Sequence, residues 1–291
     1  MSEMRWVVGS VPVTRALEQD AAFPAGGFFP SSSPEALAAH GEWMKPWALD
    51  DDGNVRISIQ ALCLESEGRK IVVDTCVGQR PLPGLFAPMS NDGSFLTALA
   101  DVGFAREDVD AVICTHLHFD HVGWNTMWVD GAWVPTFPNA RYLLARTEYE
   151  HWSAASEEAR AAASAITFDD AVTPLFDFGV VDLVDVDHVV TGSVSLVHTP
   201  GHSPGHVSVR IRSDGAEAII TGDCVHSPVQ LMEPDWFTVV DSDGEQSSAT
   251  RRALVAECLD RDVLVIGTHF PPPTAGHIVT TDAGVRFRPL S

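Results

Sequence analysis

Between Thr115 and Gly123 the chain reads Thr-His-Leu-His-Phe-Asp-His-Val-Gly, so three imidazoles and a carboxylate (His116, His118, Asp120, His121) fall within six residues. Imidazole nitrogen and carboxylate oxygen are the ligands that zinc and similar divalent ions accept. Alternate residues of an extended loop point the same way, so His116 and His118 can grip one ion while Asp120 and His121 turn toward a second. Isolated histidines are more often satisfied core or surface groups. Here, however, three later stretches end in the same kinds of side chain: Thr199-Pro-Gly-His202-Ser-Pro-Gly-His206, Thr221-Gly-Asp223 and Gly267-Thr-His269. A pair of ions held this way supports metal-assisted hydrolysis.

Such side chains need rigid supports, and the sequence supplies them. Asp110 to Thr115 is a short apolar run that predicts a buried strand delivering the chain into His116. Val194 to Thr199, Glu217 to Thr221 and Val263 to Gly267 read as strands in the same way, and each runs into one of the polar loops. Val55 to Leu64 and Lys70 to Thr75 form a hairpin turned at Glu67-Gly68 and ending at Asp74. Arg141 to Ala145 is another strand. Helical spacing marks Gly93 to Val102 and Ser248 to Arg261. Thr147 to Ala165 reads as one helix, with Thr147 as N-cap and Glu150 three residues on. Residues 1–50 carry few periodic signals but many aromatics (Trp6, Phe23, Phe28, Phe29, Trp43, Trp47), and 23–34 reads as an irregular arm. With no repeat or Pro/Gly/Ser linker, the pattern predicts a single α/β domain over 1–291, with 1–50 as an N-terminal arm that contacts a pocket or a second copy.

The chain has 291 residues, 45% of them apolar, with a formal charge of -22 from 18 basic and 40 acidic residues. So acidic a surface repels phosphate backbones and anionic bilayers, which excludes nucleic acid and membrane as expected partners. Neither a signal-type segment nor a spanning apolar run is visible. The five cysteines, Cys63, Cys76, Cys114, Cys224 and Cys258, are odd in number and lack CxxC pairing. They read as reduced, buried thiols of a cytoplasmic protein.

Taken together, HxHxDH, TPGHxxGH, TGD and GTH resemble the metallo-β-lactamase superfamily, over residues 74–269. The resemblance implies an αββα four-layer sandwich, with two mixed β-sheets flanked by helices. It implies a first metal held by His116, His118 and His202, a second by Asp120, His121 and His269, and Asp223 bridging them. The ions would be zinc, or manganese, cobalt or iron. His206 has no ligand role in that pattern and reads as structural, while Asp74 matches an aspartate that orients a ligand histidine. A water bridging the two ions would ionise near neutral pH and attack as hydroxide, with Asp120 orienting it and passing a proton to the leaving group.

Within the superfamily, a carboxylate at 223 sets the chain apart from true β-lactamases. Glyoxalase II shares all seven ligands, but no basic glutathione-binding segment is visible here. The stretches Gly222-Asp-Cys-Val-His226, Val239-Val-Asp-Ser-Asp243 and Gly267-Thr-His-Phe-Pro271 are similar to the branch of methyl parathion hydrolase and the quorum-quenching lactonases. Short N-acyl homoserine lactonases carry a tyrosine three residues after the bridging aspartate, whereas this chain has His226, which either contacts substrate as a catalytic group or packs. Trp124 and the N-terminal aromatics are expected to line an apolar pocket. The implied activity is a dinuclear hydrolase of small neutral, hydrophobic lactones or esters, with phosphotriesters as a side activity and a homodimer as its form. The alternatives are a mononuclear iron persulfide dioxygenase and a glyoxalase II-like thioesterase.

Overall fold

A computed structural model describes residues 4–82, 89, 93–162 and 164–290. Its first sheet takes seven strands: β1 (Arg5–Val8), β2 (Val11–Pro24), β3 (Asn54–Ser66), β4 (Arg69–Val73), β5 (Ala111–Cys114) and then, after a separate hairpin of β6 (Thr126–Val129) and β7 (Ala132–Pro135), β8 (Arg141–Ala145) and β9 (Val181–Val184). The second sheet holds six: β10 (Val194–His198), β11 (Val207–Ser213), β12 (Ala216–Ile220), β13 (Val263–Ile266), β14 (Ala275–Thr281) and β15 (Gly284–Pro289). Both are mixed. β1 to β4 run antiparallel and β4, β5, β8 and β9 parallel. In the second sheet β12 and β13 are the parallel pair among antiparallel neighbours.

Burial explains the layering. Leu62, Leu64, Ile71, Val73 and Ile113 of the first sheet pack against Leu196, Val209, Ile211, Ile220 and Ile266 of the second. Each such side chain contributes about 1.5–3 kcal/mol on leaving water. The other face of the first sheet is covered by the helices Ser94–Asp101, Arg146–Ala154 and Thr173–Asp177 through Phe95, Leu99, Trp152 and Leu175. The helix Gly244–Cys258 covers the second sheet with Leu254, Val255 and Cys258. This is the expected αββα sandwich. The parallel strands β5 and β13 are buried along their whole length, as their unbroken apolar runs require. All five cysteines are free and buried, and among the described residues no helix is long and apolar enough to cross a membrane.

Four stretches differ from the expectation. Residues 11–24 form a long strand rather than part of an arm. Its alternation is hidden in the sequence by the buried Arg15 and Glu18 and by a register shift between Leu17 and Gln19. The stretch expected to be irregular, 23–34, ends that strand, forms a short helix at Ala25–Phe28 and opens the helix Pro34–Met44, whose N-cap Ser33 accepts the Ala36 N–H at 3.1 Å. The helix expected over 147–165 is two, Arg146–Ala154 and Glu157–Ala162, and Thr147 is not its cap. Ser156 interrupts it because its hydroxyl accepts the Ala159 N–H at 3.2 Å and starts a new helix. The helix near the C-terminus begins at Gly244 rather than Ser248, where Asp243 caps it by accepting the Gln246 N–H at 2.9 Å.

Candidate metal centre and active site

The ends of β4, β5, β12 and β13, and the loop after β10, meet at one edge of the sandwich. The sheets are laced together there: Val207 N–H, opening β11, donates to Thr115 O beyond β5 at 2.9 Å. Beyond that tie the chain releases Asp74, the 116–121 loop, His202, Asp223 and His269. The turns need small residues at close quarters. A Cβ on Gly123 would sit 1.9 Å from Val77 O, and Gly222, at φ +54, would push one to 2.5 Å from His206 Nε2.

The seven side chains singled out in the sequence converge. His116 Nε2 lies 3.1 Å from His202 Nε2, and His118 Nδ1 lies 2.9 Å from the same atom. His121 Nε2 and His269 Nε2 are 3.3 Å apart, and Asp120 offers one oxygen 3.7 Å from the first and the other 3.6 Å from the second. Asp223 stands between the groups, with Oδ2 at 3.3 Å from His121, 3.5 Å from His202 and 3.9 Å from His116, and Oδ1 at 3.1 Å from His269. The groups His116/His118/His202, His116/His121/Asp223 and Asp120/His121/His269 are each compact enough to hold an ion.

The outer ring nitrogens decide what the inner ones present. His269 Nδ1 donates to the carbonyl of Ser58 at 2.9 Å, His121 Nδ1 meets Asp74 Oδ2 at 2.9 Å, and His202 Nδ1 meets Asp241 Oδ1 at 3.0 Å. Each partner is an acceptor, so the outer nitrogen carries the hydrogen and a neutral ring turns its lone pair inward. Lone pairs facing lone pairs and carboxylate oxygens near 3 Å repel unless a cation lies among them. Tetrahedral zinc with bonds of about 2.0–2.1 Å sets its nitrogens roughly 3.3 Å apart, so the donor set fits. Electrostatics agree. Burial depresses His116 and His118 well below the usual imidazole range, and neighbouring histidines add to it. Burial also lowers His121, but Asp223, Asp120 and Asp74 outweigh it and hold that ring well above its usual value; His269 is raised by Asp223 in the same way. The potential that keeps protons there also favours a divalent cation.

The residue expected to be structural is so. His206 accepts the Asp223 N–H through Nε2 at 2.8 Å and meets Thr199 Oγ1 through Nδ1 at 2.8 Å, while burial pushes it down to about 3. Asp74 orients His121 and also accepts from Thr115 N–H at 2.8 Å. His226 lies with Nε2 3.1 Å from Asp223 Oδ2, its ring stacked on His269 at 5.8 Å, and neither ring nitrogen has a well-aligned hydrogen bond.

Several supports carry no motif. The Asp241 side chain is fully buried; besides His202 it takes the Thr238 N–H at 2.9 Å and faces the buried Arg251 at 3.5 Å. Burial alone would raise this carboxyl, but His202 and Arg251 hold it well below the carboxylate range. Glu148 accepts Ser203 Oγ at 2.8 Å, Gly205 N–H at 2.9 Å and Leu117 N–H at 3.3 Å, tying two ligand loops together. Gln60 donates to Thr268 O at 2.9 Å, beside His269.

Over the cluster opens a cavity of about 410 Å³, walled by Phe23, Pro24, Phe28, Ile57, Phe119, Val239 and Val240, with Asp120 and His226 reaching into it. Phe23 and Phe28 stack at 5.6 Å, and Phe28 meets the His226 ring edge-on at 5.6 Å. Two of the expected aromatics thus line the pocket. Trp124 does not: it is 1% exposed, stacks on Phe95 and donates to Glu18 at 2.7 Å, because Glu18 is buried beside it and needs a donor. Burial raises that carboxyl to about 7.

Residues 58–269 match the model of the metallo-beta-lactamase superfamily. An N-acyl homoserine lactonase of Bacillus cereus is 28% identical over 213 residues, covering 68% of this chain and 77% of the relative. The N-acyl homoserine lactonase AttM of Rhizobium radiobacter is 26% identical over 140 residues, 45% of this chain and 47% of its own. The structure of AidC, a dizinc quorum-quenching lactonase with a homoserine product bound, is similar at a TM-score of 0.81 and 20% identity, over 99% of this chain and 97% of that one. The hydrolase AbOPH gives 0.81 at 23% identity over the same shares. At those identities the structures speak to the fold.

Proposed function

Because the chain belongs to the metallo-beta-lactamase superfamily, we propose that it is a dinuclear metal-dependent hydrolase of small neutral lactones and carboxylic esters, with neutral phosphotriesters as a side activity. The observation that carries this reading is the set of seven inward-facing donor side chains at the floor of an apolar cavity. His116, His118 and His202 would hold one ion and Asp120, His121 and His269 the other, with Asp223 shared. Zinc suits the nitrogen-rich first group best. Two such ions supply Lewis acidity toward a carbonyl or phosphoryl oxygen and an ionised water at neutral pH.

The chain's own residues do the rest. Asp120 has a side chain 14% exposed, against 5% or less for His116, His121, His202, Asp223 and His269, and it lines the cavity, so it faces both the cluster and the cavity. From there it orients the nucleophile and carries a proton to the leaving oxygen. His226 faces the cavity with no well-aligned partner, which supports a role in meeting the substrate's developing charge. Phe23, Phe28, Ile57 and Val240 exclude water and take the apolar part of the substrate. No Lys or Arg lies among the described cavity-lining residues, which disfavours an anionic glutathione thioester. The intact second group of donors disfavours a one-iron dioxygenase. Named relatives that act on N-acyl homoserine lactones support the lactone side of the reading, and five buried free thiols suit a cytoplasmic setting.

A screen of zinc-loaded protein against acyl homoserine lactones, aryl lactones, aryl esters and paraoxon-type triesters tests this. Hydrolysis of lactones or esters, abolished by chelation and restored by metal, is expected. Failure to turn over any member of the panel with metal bound contradicts it.

A further inference from the structure

Glu18 is a buried acid that the chemistry above leaves unused. It stands on β2 and does not line the cavity. Its two oxygens accept hydrogens from two separate segments: Oε2 takes the Val77 N–H at 2.8 Å, while Oε1 takes the Gly78 N–H at 3.2 Å and the Trp124 indole N–H at 2.7 Å. Burying a carboxylate is costly even with donors in place, so a side chain needed for packing alone would be apolar. The turn it holds is strained. Asp74, Cys76 and Gly78 all lie in the left-handed region, at φ +59, +55 and +80, and two of them are not glycine. The other side of that turn is bonded to the ligand loop and the residues just beyond it. Thr75 N–H donates to His121 O at 2.7 Å, Gly123 N–H to Cys76 O at 2.7 Å and Trp124 N–H to Thr75 O at 2.9 Å, while Asp74 meets His121 Nδ1 at 2.9 Å.

We propose that Glu18 is a positioning residue for the second ion alone, the one assigned to Asp120, His121 and His269. It acts through the 74–78 turn: any slip of that turn carries Asp74 and the His121 carbonyl with it, and so moves the ring that Asp74 aims. The first group hangs on other supports. Thr115 O, before His116, accepts the Val207 N–H at 2.9 Å, Leu117 N–H, after it, donates to Glu148 at 3.3 Å, and His202 is fixed by Asp241 at 3.0 Å. The two ions therefore have separate anchors and can be loosened one at a time. The inference rests on the dinuclear reading above.

The test is a stepwise zinc titration against a competing chelator on wild type, Glu18→Gln, Asp120→Ala and the double variant. Glutamine keeps the shape but sets an amide N–H against that of Val77 or Gly78. Wild type should bind zinc in two steps. In Glu18→Gln one step should weaken about 10-fold, at one remove from a contact worth roughly 10- to 100-fold in metal affinity, and the other less than about 2-fold. Where Asp120→Ala has already broken the second group, Glu18→Gln should cost the remaining ion less than about 2-fold. Should Glu18→Gln fold poorly, Trp124→Phe removes one of the three donors and keeps the carboxylate, and the same step should weaken about 3-fold. Equal weakening of both steps, the mark of a merely structural role, overturns the inference, as does no weakening. A wild type that binds fewer than two ions contradicts the dinuclear reading; a Glu18→Gln loss on a single ion that Asp120→Ala cancels still supports the role of Glu18, and any other result overturns it.

Discussion

The metal cluster and the cavity above it share residues yet are built on opposite principles. The cluster hangs on strand ends: its outer nitrogens are fixed by Asp74, Asp241 and Ser58 within 3.0 Å, and a glycine such as Gly123 admits no extra carbon. The cavity is walled by the end of β2, a four-residue helix and the 239–240 loop. Van der Waals contact holds that wall, with Phe23 stacked on Phe28 and Val239 60% exposed. Chemistry is therefore placed by a rigid, hydrogen-bonded frame, and substrate choice by a softer apolar rim that can change without disturbing it.

That division makes unequal predictions for the two regions. Removing the shared carboxylate by Asp223→Ala should cost roughly 10³-fold or more in kcat/KM on every substrate and lower metal content, read by kinetics alongside elemental analysis. Retained activity would break the comparison at its rigid end. Asp241→Asn leaves the donor set whole but loosens His202, and should cost about 10- to 100-fold in metal affinity or turnover, uniformly across substrates. Selective loss on one substrate would instead place Asp241 in the rim. Phe28→Ala should lower kcat/KM about 3- to 30-fold for long-tailed substrates and little for short ones, with both ions retained. The smallest effect concerns pH. His206 is held down to about 3 in the folded chain, against 6.5 for an ordinary imidazole. The folded ring stays neutral while the unfolded one gains a proton below about 6.5, so its stabilising part is complete above that pH and is lost as pH falls toward 3. The melting-temperature advantage of wild type over His206→Asn should accordingly be larger at pH 7.5 than at pH 5; an advantage that grows on acidification would reverse the sign.

The same division governs what can be read from sequence. His116, His118, Asp120 and His121 are neighbours along the chain, β5 and β13 are unbroken apolar runs and β12 ends in one, so both the ligands and the strands that aim them are legible. Asp241 falls inside a motif-like stretch that assigns it no role, because its partners His202 and Arg251 lie 39 and 10 residues away and only folding pairs them. Glu148 and Gln60 are hidden for that reason too. β2 escapes because Arg15 and Glu18 turn inward to Gln60 and Trp124, which breaks the polar-apolar alternation that marks a half-buried strand. Trp124 fails as a pocket residue because its place beside the ligand loop says nothing of direction: the loop turns it toward Phe95 in the core.

Metal counting on the purified protein, by elemental analysis after zinc loading and exhaustive dialysis, bears most directly on the whole account. Two ions per chain, falling together with lactone or ester hydrolysis as a chelator is titrated in, is the result expected of the convergent His and Asp side chains. One ion or none in a folded, active enzyme would contradict it.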